Sequence, residues 1–296
     1  MGIDGLGPFL RHESPGAFTQ MRLTAGMTIF IDASIMIYSH VYIGEKFNIV
    51  GTSGEPINHI ISAAARLREF IAVGCRPILI FDGAPPDAKA AEMVARAQAR
   101  ERGALKVPRC AFDDIKALAA YMGVSVISSD GEAEALGSRL VAAGAGWAIA
   151  TDDLDSLAFG SPRVITGIEI KGKISGIIID LATVLKELEL TYEQFVDFCV
   201  LCGSDYQPRV AGMGPKTAIK LIKKYKTLDD IARTRDDIGP GFFQARDEFL
   251  RPRVTIVPVP EPSQPLPSGD FAQWLTSHGI QSTRISKILG NKIDSV

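Results

Sequence analysis

Three hydrophobic runs in this chain each end in an aspartate. Residues 27–31 lead into Asp32, 78–81 into Asp82, and 147–151 into Asp152 and Asp153. Short runs that are apolar on both faces suit strands buried between two layers of helix, the setting of a parallel sheet. Such a sheet collects its site outside the carboxyl ends of its strands. Acids at three strand exits would therefore open on one crevice, and a carboxylate-lined crevice needs cations.

The segments between these runs carry helical patterns. Helices are expected at 33–38, 58–73, 88–105, 113–122 and 132–143, the last ended by Gly144. A short strand is expected at 124–127. The alternation predicts an α/β fold, a mostly parallel twisted sheet with helices on both faces. From about residue 191 the pattern becomes wholly helical, with helices at 192–201 and 215–224 around a Gly-rich turn. A Pro-dense extended segment follows at 251–267, then one or two helices over 271–289. Two parts are expected: an α/β core over 1–190 and a helical region over 191–296.

Composition narrows the class. A hydrophobic fraction of 46% is ample for a core, and a net charge of -2 means that any nucleic-acid surface is local. No apolar run is long enough for a membrane span. The opening Met-Gly-Ile-Asp-Gly-Leu has no signal-peptide form, and Leu6 does not fit a myristoylation signal, so the expected setting is intracellular. Cys75, Cys110, Cys199 and Cys202 make no disulfide framework in a chain this size. Cys199 and Cys202 form a lone C-x-x-C without a second pair or a nearby histidine, which reads as structural. Gly144-Ala145-Gly146 follows a helix and precedes a strand, the reverse of a dinucleotide loop.

Seven acids carry the functional reading. Asp32 and Asp82 stand at strand exits, Glu132 and Glu134 in D-G-E-A-E-A, Asp153 and Asp155 in T-D-D-L-D-S-L, and Asp205 in L-C-G-S-D-Y. On an extended segment Asp153 and Asp155 point the same way and Asp152 points elsewhere. Glu132 and Glu134 converge only if Glu132 lies at the cap or in the first helical turn. Any one such aspartate can be a turn residue or a helix cap. Seven together would repel one another unless divalent cations intervened. An all-oxygen donor set favours magnesium, and paired metals suit in-line displacement at a phosphodiester.

These segments resemble the flap endonuclease family of structure-specific 5′ nucleases. The likeness begins at M-G-I-D-G-L and I-D-A-S-I-M-I-Y. It continues through F-D-G-A-P-P-D-A-K-A-A-E-M-V-A-R, D-G-E-A-E-A and T-D-D-L-D-S-L, and ends at E-Q-F-V-D-F-C-V-L-C-G-S-D-Y with G-M-G-P-K-T-A. The resemblance implies a PIN-like nuclease core and a helix-three-turn-helix region. It implies that Asp32, Asp82, Glu132, Glu134, Asp153, Asp155 and Asp205 hold two Mg2+, with Mn2+ as a substitute. Lys89 and Arg96, two turns apart on one helix, match the family's basic pair at the scissile phosphate. DNA contact is implied for Gly2, Tyr38, Arg66, Arg100, Gly212, Gly214, Lys216, Thr217 and Lys220. Independently of the family, the glycines would admit a close backbone approach and the amides after Gly214 an anion. Lys216, Lys220, Lys223 and Lys224 make a basic face for phosphates. In the family this loop also takes a monovalent cation, K+ here.

Two departures qualify the likeness. The stretch between Arg96 and Glu132, the arch region near 88–120, is shorter than in cellular flap endonucleases and contains Pro108. The chain ends in G-N-K-I-D-S-V, without the double-aromatic peptide that docks on a sliding clamp. The resemblance implies a monomeric flap endonuclease and 5′-3′ exonuclease in DNA replication and repair. Its substrate would be branched duplex DNA with a 5′ flap, in the nucleus or at a viral replication site, and the products a 5′-phosphate and a 3′-hydroxyl. The alternatives are a four-way-junction resolvase of the same family, a non-cleaving DNA-binding scaffold, and a metabolic α/β enzyme, which leaves the loop after Asp205 unexplained.

Overall fold

The computed structural model describes residues 2–34, 36–38, 49–52, 54–84, 110–170 and 174–289. In chain order the elements are α1 (Leu6–Glu13), β1 (Phe18–Arg22), β2 (Thr28–Asp32), α2 (Asn58–Ala72), β3 (Arg76–Phe81), α3 (Cys110–Met122), β4 (Ser125–Ser128), α4 (Ala133–Ala142), β5 (Ala148–Ala150) and α5 (Asp155–Ala158). They continue with β6 (Arg163–Ile170), β7 (Ile174–Asp180), α6 (Leu181–Leu188), α7 (Tyr192–Cys202), α8 (Pro215–Tyr225), α9 (Leu228–Ala232), α10 (Pro240–Leu250), α11 (Ser268–Ser277) and α12 (Ser282–Leu289). Helical turns also follow Asp32 at 33–34 and 36–38.

The strands form one sheet in the order β1-β7-β6-β5-β2-β3-β4. The run β6-β5-β2-β3-β4 is parallel, and β7 pairs antiparallel with both β6 and β1. The parallel part is the expected α/β sheet. The antiparallel margin was not anticipated, because β1 has the half-exposed, polar-rich sequence FTQMR, which gives no buried-strand signal.

The period of two along the central strands explains why both faces are buried. Phe30, Ile78, Ile80, Ile149 and Val164 face one apolar cluster, with side chains from α1, α4, α6, α7, α8, α9 and α10. Ile29, Ile31, Leu79, Phe81, Ala148, Ala150 and Ile165 face the other, with α2, α3, α11 and α12. A fully buried ring such as Phe30 contributes about 2–3 kcal/mol by leaving water. With helices packed against both faces, both ends of the parallel strands stay open, and the acids lie at the carboxyl end.

The second half of the chain uses both faces. Helix α7 starts with a capping box in which Thr191 and Gln194 satisfy each other's backbone amides, a local device worth about 1 kcal/mol. The Pro-rich segment after α10 then passes along the β4 edge of the sheet. Arg76 donates to the carbonyl of Pro260, Ser125 donates to that of Glu261 at 3.2 Å, and the Thr255 amide donates to Asp130 at 3.0 Å. Beyond it, α11 docks on the opposite face, where Phe271 stacks on Tyr121 with centroids 5.0 Å apart. Among the described residues no helix is long and apolar enough to cross a membrane.

Candidate active site

The strand exits β2, β3 and β5 are neighbours in the sheet, so the acids that follow them face one crevice. Asp32 ends β2 and is 2% exposed. Its Oδ1 accepts the Ser34 amide at 2.7 Å, while the Ser34 hydroxyl donates to Asp82 Oδ2. One serine thus links the acids of two strands. The other oxygen of Asp82, Oδ1, accepts the amide of Ala133 at 2.9 Å, so an acid from β3 caps helix α4.

Glu132 occupies the N-cap position of α4, and Glu134 lies in its first turn, the placement their convergence requires. Glu132 makes no side-chain cap bond. It instead accepts the hydroxyl of Tyr206, the residue after Asp205. Enclosure, then the neighbouring carboxylates of Asp32, Asp82 and Asp153, push the Glu134 carboxyl well above its ordinary range. Burial first, then Glu132, push the Tyr206 phenol far up, so it remains protonated and donates.

The segment carrying Asp153 and Asp155 differs from the expected extended one. Leu154 is helical, Asp155 opens α5, and the Asp155 amide donates to Asp153 Oδ1 at 3.0 Å. The turn arises because an aspartate side chain readily accepts the amide two residues on. Both acids still meet at one place, marked by Gly2. A Cβ there would stand 2.2 Å from Asp153 Oδ1 and 2.9 Å from Asp155 Oδ1, and the Gly2 φ of +88° also disfavours any side chain. The amino-terminal segment is therefore threaded against the acids, held by the Asp4 amide donating to the Gly203 carbonyl at 2.9 Å. Asp205, half-buried, follows in the same loop. Asp152 turns away and accepts Thr166 Oγ1 at 2.7 Å and the Gly167 amide at 2.9 Å.

Among the described residues no three such side chains close into a shell able to hold an ion as they stand. The donor set nevertheless suits hard divalent cations. It is all carboxylate oxygen, and burial with the charges of Asp32, Asp82 and Asp153 raises the proton affinity of Glu134 at its centre. Cys199 and Cys202 take no part: both are buried on α7, and burial pushes their thiols up.

The flanking residues fall into two groups. Arg66 on α2 lines a cavity of about 100 Å³ with Asp32, Thr151, Asp152 and Gly167. Burial lowers its pKa and Asp152 opposes the change. Tyr38 is 37% exposed and meets Phe112 edge-on at 6.4 Å. Lys89, Arg96 and Arg100 lie outside the described residues.

The loop between α7 and α8 forms the second group. Met213 is buried and anchors it, while Gly212, Lys216, Thr217 and Lys220 are exposed. Gly212 needs its φ of +77°, but Gly214 has an ordinary φ of -87° and open space where a Cβ would be. Nothing described within the chain requires a glycine at 214, so its bareness is available to something that approaches from outside. Pro215 starts α8, and Lys216, Lys220, Lys223 and Lys224 lie along its exposed side; Lys223 also meets Glu189 at 3.2 Å.

Ser34 and Tyr206 are the residues that sequence reasoning missed. The first had a signal in its position two residues after Asp32, where an amide reaches back to the carboxylate. The second had only its adjacency to Asp205.

Residues 1–103 match the XPG N-terminal domain and residues 123–205 the XPG I-region. Flap endonuclease 1 of Theileria annulata is 33% identical over 282 residues, which cover 86% of this chain and 56% of that protein. Flap endonuclease 1-A of Sorghum bicolor is 31% identical over 325 residues, covering 98% of this chain and 86% of the relative. The chain thus spans little more than half the length of the Theileria protein. The catalytic core of Rad2 in complex with DNA substrate has the same fold, with a TM-score of 0.79 at 21% identity over 98% of this chain and 99% of that one. Its sheet flanked by helices is the PIN-type nuclease fold. By these matches the chain belongs to the flap endonuclease family.

Proposed function

We propose that the chain is a divalent-metal-dependent, structure-specific 5′ nuclease that hydrolyses DNA phosphodiesters at branch points, with 5′ flaps as its preferred substrate. The observation that carries this reading is the meeting of acids from β2, β3, α4 and the β5–α5 turn around Glu134 and Gly2, beside the helical hairpin of α7 and α8. Asp32, Asp82, Glu132, Glu134, Asp153, Asp155 and Asp205 would hold two Mg2+, or Mn2+ in their place. Bound there, the ions would neutralise the carboxylates, polarise the phosphodiester and activate the attacking water.

The remaining groups act by position. Asp82 caps α4 and so orients the segment that bears both glutamates. Gly2 lets the amino terminus lie against Asp153 and Asp155 without a side chain intervening. Gly212 and Gly214 leave room for a phosphate backbone, and Lys216, Thr217 and Lys220 present donors to it; K+ at this loop belongs to the same reading. Tyr38 is assigned to stacking on the DNA at the cleavage site, Arg66 to the DNA junction, Lys89 and Arg96 to the scissile phosphate, and Arg100 to the DNA. The functional division follows the chain, with catalysis over 1–190 and duplex binding over 191–296.

The test uses labelled flap, gapped, nicked and four-way DNA, each with and without Mg2+. Mg2+-dependent cutting that favours the flap is expected. Faster cutting of the four-way junction by a dimer would replace this reading with a resolvase. Tight binding of flap DNA without any cutting would replace it with a scaffold.

A further inference from the structure

We infer that Tyr206 is a positioning residue for the metal site: its hydroxyl fixes the carboxylate of Glu132 so that the glutamate faces the cations. The inference rests on the metal reading of the crevice proposed above. Its basis is a pair of substitutions in the usual wiring of a helix start. An acid at an N-cap position ordinarily accepts an amide of its own first turn. Glu132 has that position and makes no such bond, while Asp82 from a neighbouring strand accepts the Ala133 amide. Glu132 Oε2 instead accepts the Tyr206 hydroxyl.

The tyrosine is itself held rigidly. It is 8% exposed, and its ring meets Phe249 edge-on at 5.0 Å and Phe159 edge-on at 6.4 Å; Phe159 and Phe249 are 5.1 Å apart. Edge-to-face packing of this kind restricts ring rotation and tilt. Phe159 follows α5, whose first residue is Asp155, and Phe249 lies on α10. Arg139, on α4, donates to the carbonyl of Leu250 at the end of α10. Three aromatic rings and one arginine thus tie together the segments that bear Glu132, Asp155 and Asp205. Outer hydrogen bonds of this type orient metal ligands and govern affinity.

The experiment compares the wild-type chain with Tyr206→Phe and Phe249→Leu. Mn2+ affinity of the metal-free protein is measured by calorimetry, and the Mg2+ concentration at half-maximal flap cleavage is measured separately. Tyr206→Phe keeps the ring and removes the donor. It should weaken Mn2+ binding about tenfold and raise the Mg2+ requirement by a similar factor, with cleavage at saturating Mg2+ within about threefold of wild type. Phe249→Leu, which loosens the ring, should shift both in the same direction by a smaller factor. If Tyr206→Phe binds Mn2+ as the wild type does and only the melting temperature falls, Tyr206 is structural and the inference is overturned while the metal reading stands. If the wild type itself binds no Mn2+ and cuts without added metal, the metal reading falls and the inference with it.

Discussion

Two groups of acids in this chain are kept in opposite ways. At the strand exits, Asp32, Asp82 and Asp153 are met by the amides of Ser34, Ala133 and Asp155, by the Ser34 hydroxyl, and by the nearby Glu134. Around α9 and α10, acids are met by guanidinium groups. Arg246 lies 2.6 Å from Asp229 and 3.8 Å from Asp197, and Arg233 lies 2.6 Å from Asp230. The consequences differ in sign. The Asp229 carboxyl is held below its ordinary value by Arg246, whereas that of Glu134 is forced up by enclosure and by Asp32, Asp82 and Asp153. Acids that stabilise the fold are compensated inside it. Glu134 is instead enclosed among like charges, an arrangement that the proposed cation site would relieve.

The sharpest way to break this contrast is Asp155→Asn. Cleavage of flap DNA should fall by about a thousandfold or more while the melting curve is retained, because the change removes charge but not shape. Near wild-type turnover would remove the crevice from the chemistry. A second variant probes the intermediate case. Asp197 is buried and accepts the Leu228 amide at 2.8 Å, yet burial outweighs that bond and Arg246 and raises its pKa from 3.8 to about 6. Between those values the folded state binds more protons than the unfolded state, so this residue lowers stability as pH rises from about 4 to about 6. Asp197→Asn should flatten that slope, a change of about 2–3 kcal/mol in urea titrations across the window. An unchanged pH profile would mean that Arg246 fully compensates Asp197.

Glu134→Gln tests the crevice by stability alone. In metal-free protein at neutral pH it should raise unfolding free energy by about 1–2 kcal/mol, since folding no longer has to enclose a carboxyl, charged or protonated at a cost, among like charges. Added Mg2+ should then raise the melting temperature less than in the wild type. A destabilised variant would place Glu134 among the structurally compensated acids. The smallest effect belongs to Asp229→Asn, half-exposed opposite Arg246. It should cost less than about 1 kcal/mol, and the difference should shrink in high salt. A loss several times larger would show that the Asp229, Arg246 and Asp197 group acts as one buried network.

How much of this was legible in the sequence differs by residue. The three strands ending in acids, the helix over 58–72 and the hairpin of α7 and α8 follow from local period, turn residues and caps. Glu132 at a helix cap was the stated condition for the two glutamates to converge, and α4 meets it. The 153–155 segment was read as extended and folds as a turn, because the Asp153 side chain competes for the Asp155 amide. The β6–β7 hairpin and β1 were missed for another reason. The margin strand β1, FTQMR with its mostly exposed residues, resembles loop sequence until its partner β7 is known.

The amino-acid sequence by itself determined the alternation of strand and helix, the seven acids and their order, because these depend on periodicity and on chemistry within a few residues. Tertiary structure alone decided which distant donors the acids meet. Asp82 reaches Ala133 across 51 residues and Tyr206 reaches Glu132 across 74. Partners so far apart leave no mark in local spacing, since only the packing of strands and helices into one sheet brings them within hydrogen-bond reach.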